Sequence, residues 1–243
     1  MKNYIWVIFT GLITFLLMYY LKLDTMTFLI VLVPVLIIMF TYGSFVYSFR
    51  DSLKMEAIPS NGYQDRVERL EREKAELNRL GFDKFGEFYL KTIPDSVTYL
   101  FKHQTEHVFF LIYHFGPKVG YDFVSHFQSD MTLTTSSTVD GGMTPRPEKN
   151  MLQIFENTSY QRSFDKHLQG CKLIQTNGYS FVDLKTEYYP QLILKSLHEL
   201  AAYVRKIPFW PVLLVFWTIT KRGSRYLKTI EEQVREGAIK IIR

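Results

Sequence analysis

Two long apolar runs open the chain, at residues 4–21 and at about residues 27–49. Each has roughly the 20 residues that a helix needs to cross a hydrocarbon core. Neither run contains a charged residue, and the loop between them holds only Lys22 and Asp24 as charges. The pattern predicts a two-helix transmembrane hairpin over residues 1–50. We expect the first helix to be retained, because its run is too long for a signal peptide and no small-residue cleavage site follows it.

Basic residues predict how the hairpin is oriented. Lys2 precedes the first run, and the loop between the runs has a single lysine. Six basic residues follow the second run: Arg50, Lys54, Arg66, Arg69, Arg72 and Lys74. Cytoplasmic flanks of membrane helices carry an excess of Lys and Arg. We therefore expect a multi-pass membrane protein with both termini in the cytoplasm and residues 22–26 outside.

Residues 51–80 are predicted to form a linker and an amphipathic helix. Pro59, Ser60, Asn61 and Gly62 interrupt regular structure, and the charge-rich segment 63–80 has helical periodicity. Its apolar stripe consists of Val67, Leu70, Leu77 and Leu80. We expect this stripe to pack on its own domain, because it covers less than three heptads. The alternative is a stripe for self-association.

A series of short β-branched and aromatic runs predicts an antiparallel β-meander within an α+β domain over residues 81–190. The predicted strands are 85–92, 97–102, 108–115, 121–127 and 131–137, and turn residues separate them. The run 108–115 is apolar on both faces, which is typical of a central strand. Ser129 and Asp130 form a tight turn before the last strand.

The rest of this domain alternates between loop and helix. Residues 151–155 begin either a strand or a helix, residues 159–176 are predicted to be helical, and residues 179–184 are predicted to add one more strand. The expected architecture is a small sheet with helices on one side.

Residues 191–243 are predicted to be a helical C-terminal region. A helix over 191–207 is followed by the almost wholly apolar segment 207–219, and an amphipathic helix is predicted over 226–242. The apolar segment is too short to span a bilayer, so it is either membrane-interfacial or a buried core helix. The residues expected at a membrane interface are Trp210, Trp217, Lys206, Lys221 and Arg222.

Composition narrows the function classes. Aromatic residues make up 16% of the 243 positions, which favours a β-rich core, membrane contacts, or both. The net charge of +5 suits an anionic membrane face rather than nucleic acid, because no Lys/Arg run is dense enough for a nucleic-acid patch. Cys171 is the single cysteine, so no intrachain disulfide forms.

One sequence motif suggests metal chemistry. His103, Glu106 and His107 match the H-x-x-E-H pattern of inverted zinc proteases. That chemistry requires both histidines on one face of a helix. Here the motif lies between two predicted strands, so we expect a hairpin turn and no metal site.

Other catalytic signatures are missing from the sequence. It has no GxxxxGK[ST] phosphate loop and no GxSxG nucleophile elbow. The hydroxyl-rich residues 132–137 indicate a solvent-facing sheet edge more than a ligand pocket. His114 and His126 fall in strands that are expected to be adjacent, where they would meet as packed side chains. Cys171 is expected to be a small core residue, and we expect no cofactor.

These observations favour a membrane-anchored, non-enzymatic scaffold, sensor or complex subunit that presents a cytoplasmic α+β domain at the bilayer. Its partners would be the lipid bilayer and a protein, or a second copy of the chain. One alternative is a lipid-binding or lipid-handling protein with a pocket near residues 207–219. Another is an oligomeric membrane effector that is gated by its soluble domain.

Overall fold

The structure, a computed structural model, describes residues 24–50, 52–92, 95–115, 118–142, 144–219 and 222–241, with residues 12, 16, 19 and 20. Apart from those four positions, the first predicted membrane helix lies outside the described residues. The described part is an α+β fold in which helices pack on a seven-stranded, mostly antiparallel sheet.

The seven strands follow one another across the sheet in chain order. Their bounds are Met55–Glu56 (β1), Phe82–Leu90 (β2), Ser96–His103 (β3), Phe109–Phe115 (β4), Lys118–Phe127 (β5), Met131–Ser136 (β6) and Asn150–Ile154 (β7). Strands β2 to β6 confirm the predicted meander. Ser129 and Asp130 have φ angles of 62° and 58°, the left-handed conformation of a type I′ turn, within the three-residue connection between the paired residues Phe127 and Met131. Segment 151–155 is a strand, and it pairs parallel to β6.

Six α-helices are described. Their bounds are Thr25–Ser48 (α1), Gln64–Arg79 (α2), Tyr160–Thr176 (α3), Tyr189–Arg205 (α4), Trp210–Ile219 (α5) and Ile230–Arg235 (α6). The α1 helix begins at Asp24, whose carboxylate accepts hydrogen bonds from the backbone N–H groups of Met26 and Thr27, each at 3.0 Å. The predicted helices over 63–80, 159–176 and 191–207 correspond to α2, α3 and α4.

Helices α2 and α3 cover one face of the sheet. Leu70 and Leu77 of α2 are fully buried there, in one core cluster with Phe110 of β4 and Phe164 of α3. Val67 and Leu80 pack against the same cluster. The apolar stripe of α2 therefore packs on its own domain. Val67 and Leu80 are only half-buried, and self-association through this stripe stays a prediction.

Helix α4 covers part of the opposite face, so the expectation of helices on one side was wrong. Tyr189 stacks on Phe109 with ring centroids 3.8 Å apart, and Phe88 and Leu111 are buried in the same cluster. The physical reason lies in the central strands, because β4 is apolar on both faces and each face must be shielded from water.

Two local predictions were wrong. Residues 179–184 contribute only one isolated bridge, between Phe127 and Phe181, instead of a strand. The predicted helix 226–242 is broken into a 3-10 helix, Arg222–Leu227, and the short α6. A capping box between Thr229 and Glu232 begins the new helix α6. Gly237, with a φ of 69°, follows its end.

The side chains of Tyr113 and Thr138 lie so close to Gly120 of β5 that no larger residue fits there without displacing them. A substitution at Gly120 therefore tests the packing of this part of the sheet. A Cβ at this position would lie 2.5 Å from Cε2 of Tyr113 and 2.8 Å from Cγ2 of Thr138. We expect Gly120→Ala to lower the free energy of unfolding of the full chain in detergent by about 1–3 kcal/mol, as overpacking does. Urea denaturation measures it.

The matched control is Gly86→Ala, whose new Cβ would meet Leu100 at an ordinary 3.6 Å. It should cost much less. The Gly120 substitution should also cost less when Tyr113 is replaced by alanine, because the clashing ring is then absent. Equal costs with and without that ring would contradict the explanation.

Candidate membrane interface

Helix α1 has the length and composition of a membrane-spanning helix. It has 24 residues and therefore extends about 36 Å, compared with about 30 Å for a hydrocarbon core. It is the one helix in the described part of the chain that is long and apolar enough to cross a membrane by itself. Many of its apolar side chains are exposed: Met26, Leu29, Ile30, Val33, Leu36, Ile37 and Phe40.

The C-terminal part of α1 is packed on the domain. The ring of Trp210 stacks on Tyr42 with centroids 5.4 Å apart and lies 4.8 Å from Phe45. Phe45 is buried in a cluster with Val204 and Leu214. This contact joins α1 directly to helices α4 and α5.

Two arginines strengthen the connection between α1 and the domain. Arg50 donates through Nη1 to the carbonyl oxygens of Tyr47 and Lys91, at 2.7 and 2.8 Å. Arg205 donates through Nη2 to the carbonyl oxygen of Phe49, at 3.0 Å. Both guanidinium groups therefore mark the level at which α1 ends.

Helices α4 and α5 meet at an angle of 104°, and the bend exposes apolar side chains. We call residues 206–209 the elbow. Phe209 at its tip has a left-handed φ of 55° and is 83% exposed. Val212, Leu213 and Phe216 of α5 are exposed as well. Together these four residues form an apolar surface, which we call the α5 face.

The residues predicted for the interface have different environments. Trp210 packs on α1, and Trp217 donates from Nε1 to the carbonyl oxygen of Gly142 at 2.9 Å, so both rings are half-buried. Lys206 is exposed on the elbow. Lys221 and the side chain of Arg222 lie outside the described part. An interfacial role for this set stays a prediction.

The sequence analysis missed the four residues of the α5 face. A helical signal was present, because Trp210, Leu214 and Trp217 recur at intervals of four and three residues. That spacing marks the side of α5 that packs on the protein. The remaining apolar residues must then point away from it.

A small apolar cavity of about 120 Å³ lies beside α5. Its lining includes Pro145, Val204, Ile207, Leu213 and Trp217. The lipid-handling hypothesis expected a pocket in this region, near residues 207–219. The residue after Pro145 is a half-buried arginine, Arg146.

A polar group surrounds Arg146. Tyr113 donates to Oδ1 of Asp122 at 3.1 Å. Burial raises the pKa of Asp122, and its hydrogen bonds and the charge of Arg146 oppose that rise. Burial lowers the pKa of Arg146, and the carboxylate of Asp122 opposes that shift in turn. The hydroxyl of Tyr113, the carboxyl group of Asp122 and the guanidinium of Arg146 therefore belong to one half-buried polar group.

A buried chain of hydrogen bonds links Gln153, Thr135, His167 and Ser125. Gln153 Nε2 donates to Thr135 Oγ1 at 2.7 Å, and Thr135 Oγ1 lies 2.8 Å from His167 Nδ1. His167 Nε2 lies 3.0 Å from Ser125 Oγ, which donates to the carbonyl oxygen of His107 at 2.9 Å. The outer two bonds fix the direction of the chain, so we assign the imidazole proton to Nε2.

With the proton on Nε2, His167 cannot act as the general base that would make Ser125 a nucleophile. Ser125 accepts from His167 and gives its own proton to a carbonyl, so the imidazole does not act as its base. Both side chains are fully buried. Burial lowers the pKa of His167 to about 3, which keeps the ring neutral. The network is structural.

The network also holds the end of the chain against the sheet. Gln153 Oε1 accepts from the backbone N–H of Ile230 at 3.1 Å. Gln233 Nε2 donates to the carbonyl oxygen of Leu152 at 2.8 Å. Strand β7 and helix α6 are therefore joined by buried side-chain amides.

The H-x-x-E-H motif lies at the β3–β4 hairpin, as predicted. His103 Nδ1 accepts from the backbone N–H groups of Thr105 and Glu106, at 3.2 and 3.0 Å, so it caps the turn. Among the described residues no group of three or more His, Cys, Asp or Glu side chains has a geometry suited to a metal ion. Cys171 is buried, and burial raises the pKa of its thiol to about 12.

His114 and His126 do not meet, contrary to the expectation. The register pairs His114 with Val119 and Phe109 with Val124 across β4 and β5. Side chains alternate between faces along a strand, so this register places the two imidazoles on opposite faces of the sheet.

Comparison with protein-family models, with curated proteins and with solved structures found no match to this chain.

The buried histidine predicts acid sensitivity. An unfolded chain protonates His167 near pH 6.5, but the folded chain does so only near pH 3. The unfolded state therefore binds more protons as the pH falls, and stability is lost in that direction. We expect this residue to lower the free energy of unfolding by about 1.4 kcal/mol per unit below about pH 6.

Urea denaturation of the full chain in detergent between pH 7 and pH 4 measures the slope. His167→Gln should be less stable at pH 7 and should show a shallower slope, because the titrating group is gone. Burial also lowers the pKa of His126, to about 4, so some slope should remain. Parallel slopes for the two proteins would contradict the assignment.

Proposed function

We propose that this protein is a membrane-anchored, non-enzymatic module that presents its α+β domain at the cytoplasmic surface as a scaffold, sensor or complex subunit. Helix α1 would cross the bilayer, and residues 4–21 would form the other helix of a hairpin. The lipid bilayer and a protein are the partners that this role requires.

The observation that carries the proposal is the packing of α1 on the domain. A helix with an exposed apolar surface contacts Trp210 through Tyr42 and Phe45, and arginines bond both sides of its end. An anchor held in this way fixes the orientation of the domain relative to the bilayer. A flexible tether would not.

Charge supports the cytoplasmic orientation. Arg50 and Lys54 follow α1, and α2 carries further basic residues, whereas Asp24 caps the opposite end. The excess of Lys and Arg on one side is the pattern that sets orientation during insertion.

Cysteine labelling in intact cells tests the topology. We expect a membrane-impermeant maleimide to modify Lys22→Cys from outside. It should modify Asp165→Cys, on the exposed side of α3, only after permeabilisation. The native Cys171 is buried and serves as the unlabelled background. Labelling of residue 165 in intact cells would contradict the orientation, and protection of residue 22 would contradict the hairpin.

A second candidate function is lipid handling, which the cavity beside α5 favours. Its walls are apolar, and Arg146, which directly follows the lining residue Pro145, would supply the charge that a lipid headgroup requires. Such a site would take part of a lipid from the adjacent leaflet.

Native mass spectrometry of the full chain, purified in mild detergent, tests this candidate. We expect a bound lipid in the wild type and loss of most of it in Leu213→Trp, where the larger side chain fills the cavity. Leu227→Trp is the matched control, because Leu227 is similarly exposed but is not part of the cavity wall. Equal lipid content in the two variants would exclude this cavity as the site.

A further inference from the structure

The elbow between α4 and α5 combines two unfavourable features. Phe209 holds a left-handed backbone conformation, which side chains with a Cβ rarely adopt. Its ring is also the most exposed of the large apolar side chains described. Strain and exposure at one residue indicate that the surroundings of the folded chain supply a compensating contact.

Contacts with α1 indicate how far the residues on either side of the elbow lie from the end of that helix. Arg205, just before the elbow, bonds to Phe49 at the end of α1. Trp210, just after it, stacks on Tyr42, seven residues earlier in α1. Seven residues of α-helix rise about 10 Å. Trp210 also contacts Phe45, four residues before Phe49, so its ring lies about one to two helical turns further along α1 than the guanidinium of Arg205.

The backbone of the elbow is suited to a non-aqueous environment. Lys206, Ile207 and Trp210 donate their N–H groups to the carbonyl oxygens of Tyr203, Val204 and Ile207, at 3.0–3.2 Å. Val212 and Leu213 both donate to Phe209, at 3.0 and 3.1 Å. Pro208 and Pro211 have no N–H group. Among the backbone N–H groups of residues 206–213, only that of Phe209 lacks an internal partner, so the bent segment meets most of the requirement for burial in lipid.

We propose that the elbow and the α5 face insert into the cytoplasmic leaflet beside α1, with Phe209 in contact with acyl chains. This inference rests on the proposed function, because positions along α1 correspond to depths in the membrane only if α1 crosses the bilayer. The protein would then hold the membrane at two places: a spanning helix and a monotopic wedge.

Charge and continuity favour lipid as the occupant of this surface. Arg205 and Lys206 are exposed at the base of the elbow, at the level where α1 ends and where anionic headgroups would lie. The α5 face adjoins a helix whose own exposed surface is apolar. Helix α5 has only ten residues, so it is too short to cross the core.

Depth measurements on the full chain in liposomes of neutral and anionic phospholipid test the inference. Single cysteines would be placed at positions 209, 212, 33 and 165 in a Cys171→Ala background and labelled with an environment-sensitive fluorophore. Nitroxide lipids labelled near the headgroup or deep in the acyl chain, and aqueous iodide, are the quenchers. Position 33 reports α1, and position 165 reports the water-exposed far side of the domain.

We expect positions 209 and 212 to be quenched most by the shallow nitroxide, position 33 most by the deep nitroxide, and position 165 only by iodide. Quenching of 209 and 212 by iodide, with 33 still deep, would overturn the wedge and leave the anchor intact. Protection of both from every quencher would also overturn it, because a protein surface would then cover the face. Iodide quenching at position 33 would overturn the anchor itself.

A substitution tests the role of the ring. Phe209→Gly suits the left-handed backbone and removes the apolar side chain, whereas Phe209→Trp retains an apolar ring. We expect shallow-nitroxide quenching at position 212 to fall in the glycine variant and to persist in the tryptophan variant. Equal quenching in both would overturn the role of Phe209 as the inserting residue.

Discussion

The packing of Trp210 on Tyr42 and Phe45 determines how the apolar helix and the folded domain are arranged. Aromatic rings at these distances gain stability beyond the area that they bury, and they resist sliding because the contact is directional. The bend between α4 and α5, the exposure of the α5 face and the position of Arg205 all follow from this contact. Without it, α1 would contact the domain through the hydrogen bonds of Arg50 and Arg205 and the packing of Phe45 on Val204 and Leu214.

The sheet has to be covered on both faces because its central strands are apolar on both. Helices α2 and α3 shield one side, and α4 shields part of the other with Tyr189 stacked on Phe109. Helix α4 therefore serves the core at its start and the anchor at its end. Because α4 contacts the sheet through Tyr189 and α1 through Arg205, it fixes the orientation of α1 relative to the sheet.

Much of the fold could be predicted from the sequence where local signals were strong. Strands β2 to β6 are short β-branched and aromatic runs separated by turn residues, and Ser129 and Asp130 have short polar side chains suited to their left-handed turn. The parallel pairing of β7 could not be predicted, because the sequence of a five-residue strand does not reveal which strand it pairs with. Segment 226–242 has helical periodicity, but Gly237 and the cap at Thr229 restrict the helix to six residues.

The membrane interface at residues 207–219 stays a prediction, and the sequence did not indicate which side chains of that segment are exposed. Basic flanks and tryptophans indicated residues 207–219, but tryptophans favour protein packing as well as headgroups, and both described rings pack on the protein. Which side of a fully apolar helix faces outward depends on its tertiary neighbours. Composition alone carries no information on that choice.

The buried amides of Gln153 and Gln233 have a consequence for biosynthesis. They join β7 to residues that lie about 80 positions later in the chain, at Ile230 and α6. During translation the apolar helix leaves the ribosome first, but the sheet acquires its last buried hydrogen-bond partners only when α6 has emerged. The core of the nascent domain therefore stays incomplete until residues 230–235 are available to pack on β7.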